Sequence, residues 1–368
     1  MANKRIFWAC TAIGIATDNS TLPTTPISKS PVFVPGVQSV GISTTFNLEQ
    51  VFELGQLEIY QDVEEVPDVE ITVERVLDEH QALYQRVMSR PTDGSPDRTA
   101  HGTTIKISEN QNNRCDVIFE VHDDNKDNIG DSINDAAPGD GKSPRQCWIW
   151  CSGMYASSAS FNMATDGNFT ESITLVGNHK KWYSNSLDSN AMTGSPTQDD
   201  LHTGSIARRQ NLYLSSVPAS FNPSSGGTNP PELAVNSISI STDFGREKIN
   251  VLGKRLPYHR YVTFPVEVTC DIEVTITDAI SQDIDADPNK DNLSEESIVV
   301  VVTGTPVEDI DSAGGASAVH TFDLGSKNKV TSVTYGGADT GGANATMSFS
   351  YRNFNRLNYT YGGSTLHD

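Results

Sequence analysis

The chain has 368 residues, with 47 acidic against 26 basic side chains and a net charge of −21. That balance argues against gripping nucleic acid through its phosphates, which takes clustered Lys and Arg, and it lets a polyanion pass close by without sticking. The length suits two domains, each able to bury its own core, and no apolar run of about 18 residues is present to span a membrane as a helix.

Near the start, Lys4 and Arg5 precede IFWACTAIGIA, a signal-like opening. Only four residues separate Arg5 from Cys10, too few for the apolar core of a lipoprotein signal, so residues 1–35 read as an extended arm. Val40, Ile42, Thr44 and Phe46 then alternate with small or polar residues, the pattern of a half-buried strand. A loop-like acidic stretch with Glu58, Tyr60, Asp62, Glu64 and Glu65 follows. Val69, Ile71 and Val73 alternate with Glu70, Thr72 and Glu74, giving a strand with one apolar and one acidic face. Residues 77–89 (LDEHQALYQRVMS) have good helix formers, with Leu77, Leu83 and Val87 able to share a side. Residues 155–175 read as strand, Gly-containing turn, strand. The Pro/Gly/Ser-rich segment 216–233 reads as a linker, which divides the chain into the arm 1–35, a first domain 36–215, the linker, and a second domain 234–368.

The second domain repeats the first. Residues 37–67 and 235–265 align without gaps, and 11 of the 31 positions are identical, among them Val37/Val235, Ile42/Ile240, Phe46/Phe244, Leu54/Leu252 and Tyr60/Tyr258. Chance gives roughly two at ordinary residue frequencies. Farther on, Glu267, Thr269, Asp271, Glu273 and Thr275 alternate with apolar residues, and a one-residue slip sets Val69 against Val266. The helix has no counterpart; the Asp-rich SQDIDADPNKDN stands in its place. Residues 330–350 again read as strand, turn, strand, like 155–175.

Signals for chemistry are weak. The five cysteines, Cys10, Cys115, Cys147, Cys151 and Cys270, have irregular spacing and read as reduced thiols. Gly141-Lys142-Ser143 resembles the end of a phosphate-binding loop, but Ala136 stands where its first Gly belongs. Asp123, Asn125 and Asp127, like Asp283, Asp285 and Asp287, are spaced to open a calcium loop, yet neither set has the Gly such a loop needs. No nucleophile elbow or zinc-type spacing is present, so neither an enzyme nor a cofactor is expected.

Two segments, GVQSVGISTTFNLEQVFELGQLEIYQDVEEVPDVEITVERVLD and DGNFTESITLVGN, resemble the tail tube proteins of long-tailed bacteriophages. The resemblance implies a mainly β fold: two tandem β-sandwich or split-barrel domains, the first with a flanking α-helix. It further implies that six such domains close a ring, with Glu70, Thr72, Glu74, Glu267, Thr269, Asp271 and Glu273 facing the lumen. Residues 47–66, with Glu58, Tyr60, Asp62, Glu64 and Glu65, would reach the next ring. The implied partners are copies of the chain itself, other tail proteins such as sheath, hub or terminator, and viral DNA passing without specific binding, with no membrane. The protein would be made in a bacterial host cytoplasm and reside in the virion tail. Two alternatives stand beside this. One is a trimeric tail hub or tube initiator. The other is a calcium-dependent carbohydrate-binding or adhesion module using the Asp-rich loops and Trp148, Trp150 and Trp182.

Overall fold

A computed structural model of the chain describes residues 11–17, 32–89, 104–122, 145–184, 205–216, 218, 234–276, 293–304, 306, 318–336 and 344–362. The Asp-rich candidate calcium loops, Gly141-Lys142-Ser143, Cys10 and nearly all of the 216–233 linker lie outside these residues. The described chain is mainly β, in antiparallel sheets, with no closed barrel.

The first half contributes Thr11–Thr17 (β1), Val32–Phe33 (β2), Val37–Thr45 (β3), Leu48–Phe52 (β4), Ile59–Glu64 (β5) and Asp68–Val76 (β6). The helix Leu83–Met88 (α1) follows, then Thr104–Lys106 (β7), the helical turn Ile107–Asn110 (α2), Cys115–His122 (β8), Arg145–Ala164 (β9), Thr170–Gly177 (β10), His179–Ser184 (β11) and Leu212–Ser216 (β12). The second half contributes Val235–Asp243 (β13), Glu247–Ile249 (β14), His259–Tyr261 (β15), Glu267–Thr275 (β16), Val299–Thr303 (β17), Ala318–Asp323 (β18), Lys329–Gly336 (β19), Thr346–Phe354 (β20) and Asn358–Tyr361 (β21).

One long sheet dominates, with strands in the order β3-β6-β10-β9-β13-β16-β20-β19. Its apolar residues point to one side, where Ile71, Phe161, Ile240, Cys270 and Phe349 join a single continuous core. That core is covered by α1 and by a second sheet, β12-β17-β18-β21-β7. Phe161 of the long sheet meets Phe322 of the second at 4.7 Å between ring centroids, and meets Tyr84 of α1 edge-on at 5.9 Å. The long strand β9 serves two sheets. Its first part pairs with β8 and β11, and its last part with β10 and β13. Gly153 lies between them at φ +67°, a conformation that favours glycine, and its N–H donates to buried Asp116 at 2.9 Å.

Several expectations change. The halves do not form separate domains: β7 of the first pairs with β21 of the second, β12 pairs with β17, and both halves share one core. Within the expected arm, Thr11–Thr17 is a buried strand paired along its length with β8. The acidic loop 47–66 is a β-hairpin, β4–β5. The helix covers Leu83–Met88 rather than 77–89. Residues 77–82 instead wrap around Arg75, whose guanidinium donates to Asp78 Oδ1 and to the Gln81 carbonyl. Asp78 also accepts the His80 N–H, a local turn that competes with helix. The first free N–H groups of α1, on Leu83 and Tyr84, donate to the Glu171 carboxylate from β10, so a neighbouring strand caps the helix where Ala82 cannot.

Candidate functional site

The sequence repeat is a structural repeat. Strands β3, β6, β10 and β9 form one four-stranded unit, and β13, β16, β20 and β19 form a second with the same order. Even the irregularities coincide. β3 slips against β6 between Val37 and Ser39, and β13 slips against β16 between Val235 and Ser237. β10 slips against β9 after Thr174, and β20 against β19 after Ser350. The registers equate Val69 with Val268, Glu74 with Glu273 and Ser160 with Thr334. The sequence alignment of Val69 with Val266 is therefore off by two residues, a slip that keeps every side chain on its proper face because strands repeat every two residues.

The units lie side by side, head to tail. The last strand of the first, β9, pairs with the first strand of the second, β13, from Ser237↔Ala164 to Asp243↔Ser158. The face away from the core is therefore continuous across both units. It is almost wholly small and polar, with Ser or Thr at most positions. The seven residues expected to line a lumen lie on this face: Glu70, Thr72 and Glu74 on β6, and Glu267, Thr269, Asp271 and Glu273 on β16. Opposing the carboxylates are Arg352, 3.8 Å from Glu267, and Lys329 on the outer strand. Glu74 and Glu273 occupy equivalent places, so the acidity recurs from unit to unit.

Among the described residues the long sheet is open at β3 and β19. Where β9 and β13 meet, Ala159, Phe161, Ile238 and Ile240 are fully buried. Their equivalents at the open edges, Val333, Tyr335, Val40 and Ile42, are all partly or largely exposed, Tyr335 at 59%. The contrast is greatest just past β3. Phe46 is 72% exposed, whereas its twin Phe244 is 0% exposed, its N–H donating to the Ser157 carbonyl of β9 at 2.8 Å. Neither edge strand carries an acidic residue or a proline, devices that usually keep edges unpaired, and Lys329 is the single base on them.

Each unit also projects a hairpin, β4–β5 and β14–β15. Glu58, Tyr60, Asp62, Glu64 and Glu65 all lie exposed on or beside the first. Both of its faces are exposed, as are Phe52, Leu54, Leu57 and Tyr60. The tips match, with Gly55 at φ +91° and Gly253 at φ +83°, each beside a fully exposed leucine, Leu54 and Leu252. A two-stranded ribbon with no covered face is marginal in water by itself. The second hairpin is anchored back to the first unit: Asp68 at the start of β6 accepts Lys248 and, at 2.6 Å, Arg260. Partial burial would raise the Asp68 carboxyl, but the bonds from Lys248, Asn47 and Arg260 outweigh it and hold the group below the ordinary carboxylate value.

Behind the sheet, a buried polar cluster ties the halves together. His320 of β18 lies between the Asp78 carbonyl, 2.6 Å from Nε2, and the Tyr359 hydroxyl, 2.6 Å from Nδ1. A carbonyl only accepts, so Nε2 carries the proton, and Nδ1 accepts from Tyr359, whose oxygen receives the Ala82 N–H. This is the neutral ring. Burial pushes His320 down to about 4, against the Asp78 contact and with the aid of Arg75. Burial moves Glu171 the other way, upward, against Arg75 and the two N–H donors. The lowered histidine has a defined consequence. Its stabilisation is complete above the unfolded value near 6.5 and is lost as pH falls toward 4, about 3 kcal/mol in all. Urea unfolding at pH 7 and pH 4 should show that loss, and a His320→Gln variant should lack this part of it; equal pH dependence in both proteins would contradict the neutral assignment.

Of the aromatic residues proposed for sugar stacking, Trp148 and Trp150 are buried, the former stacked on Tyr183 at 4.3 Å, and only Trp182 is exposed. Among the described residues no His, Cys, Asp and Glu cluster could hold a metal ion, and no helix is long and apolar enough to cross a membrane. Among the described residues Cys147, Cys151 and Cys270 are free thiols, and burial pushes the Cys151 thiol up to about 12. Sequence reasoning passed over Phe46 and the leucine tips as candidate site residues, though their identity between the repeats was the available signal: Leu54 and Leu252 are exposed in both units, and Phe46 is exposed where its twin is buried. No known family model and no curated protein matches the chain.

Proposed function

We propose that this chain is a non-enzymatic structural protein of a viral tail tube, whose copies join side by side into a ring around a channel for DNA. The observation that carries the reading is the single polar, acidic face spread across two equivalent units of one open sheet. A wall of Ser, Thr, Glu and Asp offers phosphates no cation array to settle on, so a duplex slides past it. The hairpins, exposed on both faces and tipped with leucine, suit contact with a second ring stacked on the first. Head-to-tail contacts of this sort extend a stack rather than closing a dimer.

The phage tube resemblance asks for six units in a ring. Because both units lie in one sheet, three chains supply them, and the arrangement with six chains each keeping one unit outside the ring fits the fold less well. Three copies are also the number for a hub or tube initiator. Tube and hub differ in stacking, and the exposed hairpins favour the tube. Electron micrographs of the concentrated protein should show annuli with an open centre, in stacks for a tube and singly for a hub. Monomers alone would overturn both.

A further inference from the structure

We propose that β19 of one copy pairs antiparallel with β3 of the next in the register that β9 and β13 already display inside each chain. The inference deepens the ring reading above and rests on it. Its ground is the repeat itself. The registers equate Ser160 with Thr334 and Asn162 with Gly336 on the outgoing strands, and Ser241 with Ser43 and Ser239 with Gly41 on the incoming strands. The internal pairs Ser241↔Ser160 and Ser239↔Asn162 therefore translate to Ser43↔Thr334 and Gly41↔Gly336 between copies.

Three further features fit this occupant. The core-side residues at the two edges, Val40, Ile42, Val333 and Tyr335, are those whose twins are buried at the internal junction. Phe46 has the place of Phe244, which is wholly buried beside the internal junction, and its amide would meet the Thr331 carbonyl as that of Phe244 meets Ser157. Both edges lie in one sheet at opposite ends, about 33 Å apart at ordinary strand spacing, so one chain cannot satisfy them itself. The charged clamp is not repeated: Asp62 stands where Arg260 does, and Glu267 where Asp68 does. The junction between copies thus rests on backbone pairing and apolar contact.

The register can be read chemically. Phe244 N–H bonds to Ser157, and Thr165 N–H to the Asn236 carbonyl, which makes Ser241↔Ser160 a non-hydrogen-bonded pair. Its side chains approach closely enough for a disulfide, and so should those of Ser43 and Thr334 between copies. A protein carrying Ser43→Cys and Thr334→Cys, mildly oxidised, should give reducible multimers on a denaturing gel, while each single variant does not. Ser160→Cys with Ser241→Cys should close within the monomer and serves as the geometric reference. Ser43→Cys with Ser332→Cys, two residues out of register, should remain uncrosslinked. Annuli that crosslink through Ser332 instead would overturn the register and leave the ring reading standing. No crosslink from either pair, together with no annuli, would remove both.

Discussion

Replacing Phe46 by Asp is expected to abolish self-association while leaving the monomer's melting temperature nearly unchanged. Phe46 is largely exposed in the single chain, so the fold has little to lose there. In the ring it takes the place of Phe244, which is wholly buried. Burying a Phe ring contributes about 2–3 kcal/mol per junction, and forcing a carboxylate into the same site costs more. Each junction should weaken at least about a hundredfold, and a closed ring needs every junction at once. The twin substitution should behave in the opposite way: Phe244→Ala empties a core position and should cost about 3–5 kcal/mol of stability. Analytical ultracentrifugation and thermal unfolding of both variants make the comparison. If Phe46→Asp assembles normally, the edge beside β3 is not where copies meet.

Reversing the charge of the sheet face should turn a passive wall into a binding surface. Glu70, Glu74, Asp271 and Glu273 share that face, and changing all four to Lys adds four positive charges and removes four negative ones per chain. The wild-type protein should not retain duplex DNA at moderate salt. The reversed protein, mixed with short linear duplex, should bind it, with affinity falling about a hundredfold between about 50 and 200 mM salt. The four side chains are exposed or half-buried on a solvated face, so the fold should survive. Filter retention across a salt series is the measurement. Tight binding by the wild-type protein would contradict a channel that lets DNA slide.

Much of the fold was legible because strands have a period of two. Val69-Glu70-Ile71-Thr72-Val73-Glu74 announces a strand with one acidic face, and the structure places those residues accordingly. The same short period hid the register: Val266 and Val268 fit the alternation equally well, and only the pairing of β16 with β20 decides between them. The side-by-side arrangement of the units was not legible either, since the β9–β13 contact joins residues some 80 apart with no local signature. α1 begins six residues late because Arg75, Asp78 and Glu171 form a tertiary polar cluster that outweighs local helix preference. The interlocking of the halves depends on β7, a three-residue strand too short to recognise in sequence. At the candidate site, the acidic face was visible as alternation. The edges were not, because β3 and β13 look alike in sequence and differ only in whether a neighbour covers them.

On the proposed ring reading, one chain is an open arc whose two ends fit each other. Sedimentation velocity over a concentration series should then show a closed particle of three chains, about 120 kDa from a 39.9 kDa monomer, and larger stacks only in multiples of it. A monomer that persists unchanged at the highest concentrations, with β3 and β19 both free, would contradict it.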